Sequence, residues 1–152
     1  MKLVRVQTDD FDVSTVLGEL CHSRTDVGAS VTFTGYVRDL NLDADVEAMR
    51  LEHYPGMTEK ALEEIVDEAF TRWNLSGAAV IHRVGELRPS DQIVLVAVTS
   101  AHRGDAFTAC EFIMDFLKTR APFWKKELLK DGSSRWVEAR SSDDEAAERW
   151  KE

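Results

Sequence analysis

The chain has 152 residues, 43% of them hydrophobic and 31% charged, with a formal net charge of -9. That is the make-up of a globular protein able to bury one core, so a single domain over residues 1–152 is expected. The acidic balance argues against the broad basic face of nonspecific nucleic-acid binding, and no apolar run approaches the ~20 residues of a bilayer-spanning helix.

The chain opens with Leu3-Val4-Arg5-Val6, an alternating strand and not the apolar core of a signal peptide, so the cytoplasm is the expected compartment. Asp12 is placed to cap a helix whose apolar positions Val13, Val16, Leu17 and Leu20 recur at helical spacing. Ala29 to Val37 has a period-2 pattern with Val31, Phe33, Gly35 and Val37 on one face. The polar run from Arg38 to Asp45 reads as a loop, and Val46 to Tyr54 as the next strand. Pro55-Gly56 ends that strand, and Thr58 is expected to cap an amphipathic helix carrying Leu62, Ile65, Val66, Ala69 and Trp73. Ala78 to Val84 and Gln92 to Thr99 read as strands, the second apolar on both faces as a central strand is. Asp105 opens a helix through Phe107, Cys110, Ile113 and Leu117. Trp136 to Ala139 reads as a last strand, and Ser142-Asp143-Asp144-Glu145 as the capping box of a terminal helix reaching Trp150.

Helices mixed with strands that adjoin in sequence predict an α+β fold, a mostly antiparallel sheet packed by helices. The glycine patterns of dinucleotide and ATP phosphate loops are absent. Cys21 and Cys110 lie far apart among apolar residues and read as reduced core residues. His53 and His82 sit in strand patterns without a partner at metal-ligand spacing, and Trp73 and Trp150 read as core.

Four segments at element ends are candidates for chemistry. Tyr36-Val37-Arg38 closes a strand, where Arg38 is either a solvated charge or a bidentate phosphate ligand. Ser100-Ala101-His102-Arg103 joins the most buried strand to a helix N-terminus, where cations are unfavourable unless an anion joins them. Lys118 to Glu127, K-T-R-A-P-F-W-K-K-E, sets Lys118, Arg120, Lys125 and Lys126 about a rigid apolar turn, Ala121-Pro122-Phe123-Trp124. A basic helix end stopped by proline is the bland account of this segment. An anion pocket that excludes water also accounts for the two aromatics. Burial of Lys118 beside Arg120 would favour a neutral amine able to act as base or nucleophile. The fourth segment, Arg135 to Arg140, would close the ring of positive charge with Arg140.

Taken together, F-T-G-Y-V-R-D, L-E-H-Y-P-G-M-T-E-K, I-H-R-V-G-E-L, S-A-H-R-G-D-A-F, F-I-M-D-F-L-K-T-R-A-P-F-W-K-K-E and W-V-E-A-R resemble the large, catalytic subunit of molybdopterin synthase. The resemblance runs in order from about residue 28 to Trp150, and departs from the family at Leu40 to Asp45, which is unusually acidic. It implies an α/β hammerhead fold and a sulfurtransferase of molybdenum-cofactor biosynthesis. The substrate would be cyclic pyranopterin monophosphate, converted to the molybdopterin dithiolene. Sulfur would arrive as the C-terminal Gly-Gly thiocarboxylate of a small ubiquitin-like subunit, in a heterotetramer built on a dimer of large subunits. No cofactor or metal is implied. Carried over by motif, Lys118 and Lys125 are the catalytic residues. Arg38, His102 and Arg103 contact the pterin phosphate, with Arg140 a weaker addition. Tyr36, Val37, Lys126 and Glu127 bind through side chains or backbone. Two other readings remain at this stage: a noncatalytic module that docks a ubiquitin-like tail, and a generic phosphate-ester enzyme that needs no partner.

Overall fold

Two four-stranded sheets, not one, organise the chain. The structure is a computed structural model and describes residues 1–38, 46–137 and 141–151. The first sheet has the order β1-β4-β6-β2, built from β1 (Lys2–Gln7), β2 (Ala29–Tyr36), β4 (Leu75–Arg83) and β6 (Gln92–Ser100). The second has the order β5-β3-β7-β8, built from β3 (Val46–His53), β5 (Gly85–Leu87), β7 (Phe123–Leu129) and β8 (Ser134–Val137). β1 pairs with β4 in parallel, and the other described pairings are antiparallel. The α+β expectation therefore holds, with the antiparallel sheet divided in two.

The apolar runs of β4 and β6 are explained by burial on both faces. Ala78, Val80, Val94, Val96 and Val98 face α2 (Met57–Arg72) and α3 (Arg103–Arg120), meeting Leu62, Ile65, Val66, Phe112 and Ile113. The alternate residues Ala79, Ile81, Leu95 and Ala97 face α1 (Val13–Cys21), meeting Val16 and Leu20. As expected, Asp12 caps α1, its carboxylate accepting from the Thr15 N–H at 2.9 Å. A third cluster of Val37, Met49, Leu51, Val84 and Leu87 packs the second sheet onto the first.

Thr58 is not the cap of α2. That place belongs to Gly56, at φ +85, whose N–H donates to the Glu59 carboxylate at 3.0 Å. The fully buried Thr58 hydroxyl instead donates to the Tyr54 carbonyl at 2.9 Å and lies 3.5 Å from the Pro122 carbonyl. This ties the start of α2 to the entry of β7. The terminal helix α4 (Ser141–Glu148) starts one residue before the expected Ser142. Trp150 beyond it packs edge-on against Phe112 and Trp73.

Candidate active site

The helix α3 decides which candidate residues can meet. Cys110 of α3 lies over β6, its Sγ 3.9 Å from the Val96 carbonyl, so the helix folds back along the strand that precedes it. Its N-terminal end therefore stays at the Ser100 end of β6, and its C-terminal end returns toward Gln92. Arg103 and Lys118 are fifteen residues apart on this helix, a separation of about 22 Å at 1.5 Å per residue. Tyr36 pairs with Gln92 in the sheet, so Arg38 shares the end of the molecule that carries Lys118. Within one chain, Arg38, Lys118 and Lys125 form one group, and His102 with Arg103 forms another.

At the far end, His102 is the N-cap residue of α3 and offers no side-chain cap. Its N–H donates to the Ser100 hydroxyl at 3.3 Å, and that hydroxyl donates to the Asn74 carbonyl at 2.7 Å. Gly28 lets β2 approach this corner, since a Cβ there would stand 2.1 Å from the Ala101 carbonyl oxygen. Arg103 is exposed and, like Arg38 and Lys118, forms no ion pair with a described acidic group.

At the near end, α3 stops because the residue before a proline is driven out of the helical region. Ala121 is extended at φ -81, ψ 132, and the Phe123 N–H donates to the Ala121 carbonyl at 2.9 Å, a three-residue turn centred on Pro122. The rigid turn anticipated over Ala121 to Trp124 is thus shorter, and Phe123 already begins β7. Strand alternation then divides the lysines. Phe123, Lys125 and Glu127 share the face of His53, Leu51 and Met49, whereas Trp124, Lys126 and Leu128 share the other. Lys126 lies 4.4 Å from the centre of the Trp136 ring, and the Glu127 carboxylate accepts from the Arg135 guanidinium at 3.0 Å. Arg120 turns away to Glu68 at 3.4 Å and to the Phe116 ring. Lys118 is exposed, so the burial expected for its amine is not supplied by this chain.

Two histidines assigned no role from sequence belong to this group. The His82 ring stacks on Phe123 with centroids 3.8 Å apart at 18°. Its Nδ1–H donates to the Arg83 carbonyl at 2.8 Å, and burial, with smaller contributions from Lys118 and His53, pulls its pKa down to about 4. It is therefore neutral at pH 7. His53 stands directly across from Phe123 in the sheet, and its Nδ1 is buried without a hydrogen-bond partner. The signal was faint: a lone histidine near each strand end becomes a pair only once the two sheets pack.

Val37 is spent on the fold. It is 3% exposed, its N–H donates to the Asp91 carbonyl, and its carbonyl accepts from Ser90. Tyr36 is 55% exposed and open to a ligand. Arg140 and Leu40 to Asp45 lie outside the described residues. Among the described residues no cluster of three or more histidines, cysteines or acids could hold a metal ion. Cys110 is buried and its thiol is pushed up to about 11, which makes it a poor nucleophile.

The described residues thus form a two-sheet α+β fold in which Arg103 and Lys118, near the two ends of α3, have no ion pair with a described acidic group, an arrangement suited to an enzyme that handles anions. Residues 6–120 match the family model described as MoaE protein. The chain is 59% identical over 150 residues to the molybdopterin synthase catalytic subunit of Ralstonia nicotianae, covering 99% of this chain and 85% of that protein. It is 65% identical over 127 residues to the protein of the same name from Escherichia coli, covering 84% of each. Among solved structures, the molybdopterin biosynthesis MoaE protein of Burkholderia ambifaria superposes with a TM-score of 0.84 at 56% identity, over 99% of this chain and 98% of that one. The chain belongs to the MoaE family, the molybdopterin synthase catalytic subunits.

Proposed function

We propose that this chain transfers sulfur from the C-terminal thiocarboxylate of a small ubiquitin-like subunit to cyclic pyranopterin monophosphate, forming the molybdopterin dithiolene in the cytoplasm. The observation that carries the site assignment is the placement of Lys118 and Lys125 on two elements joined by the Pro122 turn, next to Phe123, whose ring stacks on His82. Both ligands are anions, which accounts for a group of cations at one end of a chain of net charge -9. Lys118 serves as the acid/base group at the attacked carbon. Lys125 orients the substrate and stabilises developing negative charge. Arg38 and Tyr36 lie at the same end, whereas His102 and Arg103 reach the site only from a second copy of the chain, as a dimer of large subunits would supply them.

The test is Lys118→Ala with sulfur transfer measured from thiocarboxylated partner. Loss of an acid/base group lowers turnover at least about 100-fold. Undiminished product formation would leave a docking module without catalysis. Turnover of simple phosphate esters with no partner present would point instead to a phosphate-ester enzyme.

A further inference from the structure

We propose that His53 is a third working residue of the lysine site, donating its Nε2–H to the anionic group that Lys118 and Lys125 receive. The proposal rests on the reading of the lysine group as an anion site. Three observations place the ring there. His53 is directly opposite Phe123 across β3 and β7, and diagonal to Lys125, which pairs with Leu51. Phe123 in turn stacks on His82, whose charge is acted on by both Lys118 and His53.

The two imidazoles differ in what they have left to offer. His82 is 4% exposed and has committed its Nδ1–H to the Arg83 carbonyl. For His53, Nδ1 alone of its two ring nitrogens is sealed from water without a partner. A stranded N–H costs more than a stranded lone pair, because an acceptor tolerates under-satisfaction better than a donor. A ring carrying one proton therefore keeps it on Nε2 and not on the sealed Nδ1. Beside two lysines the complement of that N–H is an anionic oxygen or sulfur. A buried, unmatched polar atom is a cost to folding that an apolar residue of similar shape would remove. Its retention diagonal to Lys125 fits a ring kept for its other nitrogen.

The anion could be the carboxyl terminus of the partner's tail or the phosphate of the substrate. Binding to the full chain is measured with a synthetic peptide ending in a free Gly-Gly carboxylate and with inorganic phosphate. His53→Leu, His53→Gln and His53→Asn are compared with wild type, and Tm is recorded for each. His53→Leu is expected to weaken one probe about 10-fold, the loss of one charge-assisted hydrogen bond, with Tm unchanged or raised. The weakened probe identifies the source of the anion. Gln places its amide where Nε2 was and recovers binding, whereas Asn places it where Nδ1 was and does not. Unchanged binding of both probes in His53→Leu overturns the proposal. So does equal binding by the Gln and Asn variants, which decides the matter even if the Leu variant does not fold. Wild-type protein that binds a probe but transfers no sulfur would sink the functional reading and leave the His53 comparison standing.

Discussion

Burial strips His82 of its charge, and the consequence is a dependence of stability on pH. The ring is 4% exposed, stacked on Phe123, and its pKa falls from 6.5 to about 4. The depression comes first from desolvation; Lys118 and His53 add to it, and the hydrogen bond to Arg83 opposes it. The unfolded chain binds this proton below about pH 6.5, but the folded chain resists it until about pH 4, so the unfolded state holds more protons in between. The stabilisation is present in full above pH 6.5 and drains away as the pH falls to 4, by up to about 3 kcal/mol. Asp10 and Asp131, both held below the usual carboxylate range by hydrogen bonds, lose their contributions at lower pH still. His82→Phe, which keeps a ring against Phe123, is expected to flatten the fall of the urea midpoint between pH 7 and pH 4.5. A variant with the wild-type slope would refute the assignment. The same reasoning makes His82 a poor proton carrier at neutral pH.

Elements were legible in the sequence where one physical signal dominated them. The two-faced apolar run of β6 and the capped amphipathic pattern of α1 needed no tertiary information. β7 was not legible, because Trp-Lys-Lys-Glu has neither alternation nor helical period, and it is a strand only because β3 and β8 flank it. The site followed the same division. Lys118, Lys125 and Arg38 stood out as cations in an acidic chain, whereas His53 and His82 acquire meaning from packing between two sheets that the sequence suggested as one. α4 owes its place to side chains on α3. The Asp115 carboxylate accepts from the Trp150 Nε1–H at 2.5 Å and from the Arg149 guanidinium at 2.9 and 3.1 Å, and Arg149 also reaches Glu111 at 2.7 Å. Asp115→Ala leaves a partly buried indole N–H without its acceptor, at a cost of about 1–3 kcal/mol. Amide hydrogen exchange is expected to quicken in α4 and stay slow in β4 and β6, because the loss is local. Unaltered protection of α4 would mean that ring packing on Phe112 and Trp73 alone holds it.

At the scale of the molecule, α3 is the constraint that a single chain cannot escape. It holds Arg103 about 22 Å from Lys118, too far for both to touch one pterin monophosphate. Two arrangements remain. Either the His102–Arg103 corner serves something other than the lysine site, or a symmetric pair of chains sets the corner of one beside the lysines of the other. These separate in mixed dimers of Lys118→Ala and Arg103→Ala chains, assayed with substrate below saturation. If the corner serves something other than the lysine site, mixing changes nothing: each chain keeps the activity it has in its own homodimer, and the mixture gives the mean of the two parents. If sites are shared, one site of each mixed dimer takes its lysine from the Arg103→Ala chain and its arginine from the Lys118→Ala chain, and is intact. Half of the dimers in an equal mixture are mixed and one of their two sites works, so activity recovers to about a quarter of wild type. Arg38→Ala behaves differently, because Arg38 lies at the same end of the chain as Lys118. Mixed with Lys118→Ala it is expected to give no recovery, and recovery in that pair would place Arg38 in the other chain's site.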